Sequence, residues 1–256
     1  MSNNVRFYYF NLVEQSSTEI FTDNADPSYP SSNLKLPFSS SVYRSTTASE
    51  NITFDFKTTE SVDSILIKPS LEGFGFSGDV TIEANGSADF TTPAFSTTLS
   101  VDRANGLGVK HLTTAQSYRF WNISLTGSGY CELANIFIGN STQLGRNITY
   151  NWVFDNNDLS RSVSNRYGQQ FIDKISSIKN LSMAIRLMTS SHIDALTDFT
   201  DHVATHTPFW VVMDYEENFT FDKDYFAGQF YFVDKPSLSN PYFGLYDTQL
   251  RLVECL

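Results

Sequence analysis

The chain has 256 residues, with 28 Asp+Glu against 17 Lys+Arg, a formal net charge of −11. That balance argues against a protein that grips phosphate backbones, which needs a basic face. Aromatics make up 15 per cent, too many for a disordered chain, so a packed core is expected. Ser, Thr and Asn number 32, 24 and 19, together 75 of the 256 residues. Low charge with many small polar residues suits sheets whose outer faces carry hydroxyls. Both halves of the chain are acidic, so the charge is not confined to a tail.

Residues Met1 to Val13 lack a basic stretch followed by a long apolar run, so no cleaved signal peptide is expected. The longest strongly apolar run, Phe209 to Met213, is far short of a membrane span. The only cysteines, Cys131 and Cys255, are widely separated, which does not indicate a disulfide framework. Seven Asn-x-Ser/Thr triplets follow from composition rather than marking glycan sites.

The first half is a series of short runs of period two, the mark of half-buried strands. Ile52, Phe54 and Phe56 point one way, with Thr53 and Asp55 the other. Leu66 sits in the denser run Ser64 to Lys68. Val80, Ile82 and Ala84 alternate, as do Phe95, Thr97, Leu99 and Val101, and Trp121, Ile123 and Leu125. Turn signals separate them: Asp26-Pro27, Leu71-Glu72-Gly73, Ser77-Gly78, Asn85-Gly86, Asn105-Gly106 and Gly127-Ser128-Gly129. Nothing before residue 140 has helical spacing. Roughly eight short strands spaced this way predict a β-sandwich jelly roll over residues 1–140. Gly139 to Arg146 reads as a linker.

Residues 141–256 predict a smaller α+β domain with one helix on an antiparallel sheet. Strands are expected at Ile148 to Phe154, at Leu181, Met183, Ile185 and Leu187, and at 209–215, 225–234 and 242–254. Asp155 to Gly168 reads as an extended loop. Ser191-His192-Ile193-Asp194 has the form of a capping box, Ile193, Leu196, Phe199 and Val203 follow at helical spacing, and Pro208 ends the helix. Overall the fold class is mainly β.

The search for chemistry returns little. Asp198, His202 and His206 are spaced to share a helix face, and a solvated polar face is favoured over a metal site. His111 and His192 read as structural. Gly73 to Gly78 has close glycines, but no Lys-Ser/Thr follows, so it is a loop and not a phosphate cradle. No Gly-x-Ser-x-Gly elbow occurs. Glu216, Glu217, Asp222 and Asp224 read as a solvated loop, with a glycosidase pair or a Ca²⁺ site as the alternatives. Asp23 to Asp26 reads as a turn made by Asx side chains. Phe74 and Phe76 lie on a Gly-flanked loop, where aromatics stack on sugars, dock on proteins, or fold back over the open end of a sandwich. Tyr225, Tyr231, Tyr242, Phe243 and Tyr246 fall in strands, where core and cross-strand pairing is expected. No cofactor, no metal and no enzymatic activity are expected.

Two stretches carry a family resemblance. Pro30-Ser31-Ser32-Asn33-Leu34, Tyr43-Arg44-Ser45 and Ile52 to Phe56 resemble the opening of discoidin-like, galactose-binding-like jelly rolls. Tyr118-Arg119-Phe120-Trp121-Asn122-Ile123 and Cys131-Glu132-Leu133-Ala134-Asn135-Ile136-Phe137-Ile138-Gly139 are similar to their closing segment. The resemblance covers about residues 20–140, without the cysteine pair common in secreted discoidin domains. A jelly roll joined to a small α+β unit further resembles virion proteins of tailed bacteriophages. The second half, with Pro208-Phe209-Trp210-Val211 after the helix, is similar to tail-tube-like and distal-tail, baseplate-ring proteins. That resemblance implies a structural tail or tail-tip subunit forming a symmetric ring, with itself and other tail proteins as partners, located in the virion and made in the host cytoplasm. The alternative is a carbohydrate-binding module for host-surface attachment, with Phe74, Phe76, Arg103 and Asn105 as the candidate ligand-binding residues and glycans as partners. Fold does not fix function, so the two readings are separated only by the site.

Overall fold

The fold is taken from a computed structural model. It describes residues 5–38, 40–70, 79–101, 107–127, 129–146, 148–149, 152–167, 169–173, 177–213 and 227–255. The chain divides into two compact units. Arg6–Thr142 fall in the first, and Gln143–Val211 with Gly228–Leu256 in the second.

The first unit holds β1 (Arg6–Asn11), β2 (Glu19–Thr22), β3 (Tyr43–Arg44), β4 (Ser49–Pro69), β5 (Asp79–Asn85), β6 (Phe95–Ser100), β7 (Gly108–Thr126) and β8 (Glu132–Thr142). The described helical pieces in it are two 3₁₀ turns, Leu12–Glu14 and Ser31–Lys35. The strands are hydrogen-bonded in the order β6-β5-β7-β4-β8-β1, with β2 on β4 and β3 on β8. All register pairs among them are antiparallel.

Two of these strands explain the architecture. The runs around Ile52 and Leu66 are one 21-residue strand, β4, and β7 is 19 residues long. Their pairing shifts register between Asp55/Glu60 and again between Val62/Ser64. Bulges bend a strand and sharpen its twist. Here they turn both strands through a corner, so that their two halves line opposite layers of one core. Ile52 and Phe54 from one half, and Ile65 and Ile67 from the other, belong to the same buried cluster. This is a β-sandwich made by folding long strands.

The core is packed in cross-strand rows. Ile52, Ile123 and Ile82 stand opposite one another across β4, β7 and β5, all fully buried. The next row is Phe54, Trp121 and Ala84, where the largest side chain is accommodated beside the smallest. β8 is buried on both faces from Glu132 to Gly139. Ile136 and Ile138 enter the core, while Phe137 meets Tyr8 edge-on at 5.5 Å.

Several sequence expectations are corrected here. β1 lies in a segment not expected to be a strand. Gly139 to Thr142 continue β8 rather than starting a linker, and Gly139 is packed against backbone: a Cβ there would sit 2.4 Å from the Phe10 carbonyl oxygen. Asp55, expected outward, is buried, because Arg119 and the Lys57 N–H satisfy its oxygens.

The second unit holds β9 (Val153–Asp158), β10 (Arg161–Ser164), β11 (Gln170–Asp173), β12 (Ser177–Met188), α1 (Ser190–Val203), β13 (Phe209–Val212), β14 (Ala227–Phe232), β15 (Leu238–Tyr242) and β16 (Leu245–Glu254). The strand order is β13-β14-β16-β12-β9, with β15 as a hairpin on β16 and β10-β11 as a separate two-stranded ribbon. It is an α+β unit. Leu196, Phe199 and Val203 are the buried face of α1, and Phe199 contacts Phe209 at 5.0 Å and Phe232 at 5.3 Å between ring centroids.

Boundaries differ from expectation for identifiable reasons. Ile148 makes only an isolated bridge to Ile185, and the strand begins at Val153. Asp155 to Gly168, expected as loop, contributes β9 and β10, whose exposed polar faces hide the strand period. The face Leu181, Met183, Ile185 stops there: Leu187 adopts φ 56 and is exposed, and the bulge turns Met188 inward. The helix is capped two residues earlier than Ser191: the Thr189 N–H donates to His192 Nδ1 at 3.2 Å, a role usually filled by Glu or Gln. It ends at Ala204 with φ 50, four residues before Pro208. His206 therefore lies beyond the helix, and the shared face with Asp198 and His202 does not form. Residues 242–254 are not one strand, because Phe243-Gly244 turn the chain between β15 and β16.

Candidate functional site

The corner in β4 and β7 decides where the loops go. It returns both ends of β4 to the same end of the sandwich. Ser49 pairs with Thr126, and Pro69 with Leu133. Asp79 pairs with Ser100 one strand beyond, and a Cβ on Gly108 would meet Val101 and Leu99. The strand ends that flank residues 71–78 and 102–106 thus open onto one rim. Phe74, Phe76, Arg103 and Asn105 themselves lie outside the described residues, as do Tyr225 and the acids at 214–224.

Three other segments meet at that rim, and they are tightly joined. Ser45 N–H donates to the Cys131 carbonyl at 2.8 Å, and Cys131 N–H returns a bond to Ser45 Oγ at 2.8 Å. Asp26 N–H donates to Arg44 O at 2.9 Å, and Thr46 N–H to Asn24 O at 2.8 Å. Asp26 also closes the expected Asx turn, accepting from Ser28 N–H at 2.8 Å. Beneath them the buried Glu50 carboxylate accepts from the backbone N–H groups of Asp23 and Asn24 at 2.9 and 3.3 Å.

This scaffold presents Arg44 between two aromatic rings. Its guanidinium carbon lies 4.3 Å from the centroid of Tyr29 and 4.8 Å from that of Tyr130. Arg44 Nη2 and Nε both reach Glu132 Oε2 at 2.5 Å. The Glu132 carboxylate holds the guanidinium above its ordinary value. Tyr29 and Tyr130 are each half-buried. Two aromatic rings and a cation, anchored by the buried Glu132 carboxylate, put apolar faces and a charged hydrogen-bond donor on one rim. Arg44 and Glu132 stand in the segments that carry the jelly-roll resemblance. Tyr29 and Tyr130 were missed, although each adjoins a turn signal, Asp26-Pro27 and Gly127-Ser128-Gly129, as Phe74 and Phe76 do.

Other polar clusters serve the fold. Ser64 Oγ lies 3.1 Å from His111 Nδ1 and 2.6 Å from Asp63 Oδ1. In a catalytic triad the acid orients the imidazole and the hydroxyl is open to substrate. Here the acid holds the serine and the Ser141 N–H, and Ser64 has 0 % exposure. Burial pushes the His111 imidazole below its ordinary value, with the charge of Arg6 adding to this. Burial pushes the Cys131 thiol up, away from reactive thiolate. At the corner, Arg119 Nε and Nη2 donate to the two oxygens of Asp55 at 2.7 and 2.9 Å and hold its carboxyl well below the usual carboxylate range. Among the described residues, no three His, Cys, Asp or Glu side chains are grouped to hold a metal ion. Among them also, no helix is long and apolar enough to cross a membrane.

No protein-family model and no curated protein matches the chain. Among solved structures, it is similar to the family 32 carbohydrate-binding module of C. perfringens NanJ in complex with galactose, at 15% identity and TM-score 0.43, over 52% of this chain and 98% of that one. A Streptococcus pneumoniae fucose-binding module matches at 16% identity and TM-score 0.43, over 51% of this chain and 98% of that one. A chitosan-binding module of a Paenibacillus chitosanase/glucanase matches at 16% identity and TM-score 0.42, over 52% of this chain and all of that one.

Proposed function

We propose that the first unit is a glycan-recognition module and that its site is the rim carrying Tyr29, Arg44, Tyr130 and Glu132. The observation that carries this reading is the pair of tyrosines flanking Arg44 at 4.3 and 4.8 Å on a rim braced by backbone bonds. Sugars offer apolar C–H faces that stack on aromatic rings and hydroxyls that need charged or amide partners. The strand ends flanking residues 71–78 and 102–106 open onto the same rim, which supports Phe74, Phe76, Arg103 and Asn105 as further members. Galactose and fucose are the first probes to titrate, with chemical-shift mapping as the readout. Binding should fall tenfold or more in Tyr130→Ala and Tyr29→Ala while the fold is retained. A panel of neutral and acidic sugars that leaves the rim's resonances unmoved at millimolar concentration refutes the reading.

A second reading is favoured by the other unit, which we propose is an assembly module. Among the described residues the β10-β11 ribbon pairs only with itself, and it exposes Val163 at 66 % and Tyr167 at 74 %. An isolated two-stranded ribbon is marginal in water and gains stability by docking. The ring-forming virion subunit, with tail proteins as neighbours and the virion as its location, rests on the bacteriophage resemblance and is the specific form of this reading. Electron microscopy of purified protein tests it, closed rings being the expected result.

A further inference from the structure

Tyr242 and Phe243, expected in core and cross-strand pairing, end instead on an exposed tip, while Tyr246 pairs with Met188 and is half-buried. Phe243 is 103 % exposed and Tyr242 66 %, and Leu238 at the other end of β15 is also exposed. Gly244, at φ 72, makes the turn and has nothing within 4 Å of where its Cβ would be. From Pro236 to Tyr246 the chain carries no charged residue. Water-facing apolar surface of this size is costly unless it is covered in the working state.

The same unit has a complementary depression. Asn180, Val253 and Tyr231 are in register across β12, β16 and β14, and with Val233, Phe232 and Thr205 they line a shallow groove of about 620 Å³. That lies in the roughly 300–1,000 Å³ range of sites that accept a ligand-sized group. Its lining is uncharged too, and Val233 is exposed on its rim. The tip is at the start of β16 and the groove at its end. Seven residues separate Tyr246 from Val253, roughly 24 Å of strand at about 3.4 Å per residue. A tip cannot reach the groove of its own chain.

We infer that the Tyr242-Phe243 tip of one copy inserts into the Tyr231-Val233-Val253 groove of the next. A patch that fits a pocket elsewhere on the same molecule makes a head-to-tail contact, which closes into a ring or runs on as a filament. Both surfaces are neutral in a chain of net charge −11, so they are where two like-charged copies approach at least electrostatic cost. The inference rests on the assembly reading of this unit and is independent of sugar binding.

Sedimentation velocity of the full chain across concentration and salt tests it. Wild type should associate, and more strongly at high salt, where repulsion between acidic copies is screened. Phe243→Asp and Val233→Asp should each weaken association tenfold or more with unchanged melting, since both side chains face solvent. Mixing the two variants should restore one contact, between the intact tip of one and the intact groove of the other, and stop at a 1:1 pair. A wild type that stays monomeric at millimolar concentration overturns the assembly reading and the contact together. Association that ignores both substitutions, or a mixture that forms no pair because tips meet tips, overturns the contact alone. A tip that binds vesicles rather than a second copy overturns it as well.

Discussion

Asp55→Asn should destabilise the first unit by an amount that depends on pH in a specific way. Asp55 is buried and accepts four bonds: from Arg119 Nε at 2.7 Å, Arg119 Nη2 at 2.9 Å, Lys57 Nζ at 3.1 Å and the Lys57 N–H at 2.8 Å. The last holds Lys57 at φ 67, inside the bulge that turns β4 through its corner. Asparagine keeps the shape and one acceptor but loses the charge. Charge-assisted bonds contribute about 1.5–3 kcal/mol each, and the exposed flank of Arg119 reduces its share. Allowing for one acceptor retained, the loss at neutral pH is about 2–3 kcal/mol. The Asp55 carboxyl in the folded state titrates below its ordinary value. Its stabilisation is therefore fully present above about pH 4, the unfolded value, and fades as the pH falls toward the folded one. Urea unfolding of wild type and variant at pH 7, 5, 4 and 3 measures the difference, which cancels the other carboxylates. It should be constant from pH 7 to 5 and shrink below pH 4. A difference that stays flat down to pH 3, or one below 0.5 kcal/mol at pH 7, refutes the assignment of Asp55 as the charge that fixes the corner.

Three further outcomes follow from packing and capping. Gly139→Ala places a Cβ 2.4 Å from the Phe10 carbonyl oxygen and 3.0 Å from the Phe137 ring, so thermal melting should report a loss of about 2–3 kcal/mol. Phe199→Ala removes the ring that joins Phe209 and Phe232, and denaturant unfolding should show about 3–5 kcal/mol lost from the second unit. His192→Ala removes the acceptor of the Thr189 N–H and should cost about 1 kcal/mol, while His192→Gln should recover much of it, read by hydrogen exchange across the first helical turn.

The strands of the first unit were legible because their inner positions are large and apolar and their outer ones are hydroxyls: Ile52, Phe54, Val80 and Ile82 need no tertiary information. That β4 is a single strand was not legible. The residues at its corner, Lys57 to Glu60, are polar like a loop, and their continuity depends on Asp55 holding Lys57 from within. The same limit hid β9 and β10, which are exposed on both faces and so carry no period. Tyr242 and Phe243 misled in the other direction: aromatic residues in a strand-like run look like core, and only the turn at Gly244 reveals that they point outward. Of the rim, Arg44 and Glu132 were visible as parts of a resemblance. Their neighbours Tyr29 and Tyr130 are brought to them by pairing across about 15 and 86 residues, which no local pattern encodes.

The two proposed surfaces make separable demands, and their combination has a physical logic. A shallow rim built from two half-buried tyrosines and an already paired arginine offers a sugar few contacts, so a single site should bind weakly. Linking many such sites in one assembly turns later contacts into intramolecular ones and can raise avidity by roughly 10²–10⁴ without any new contact. Attachment to a multivalent glycan surface should therefore depend on the tip and the groove as well as on the rim. Phe243→Asp should leave the affinity of the free sugar unchanged and lower retention on a glycan-coated surface. Tyr130→Ala should do the reverse to the sugar affinity while leaving association intact. Surface retention of Phe243→Asp equal to wild type, in a protein whose rim binds sugar, means that the rim acts alone and that self-association serves some other end.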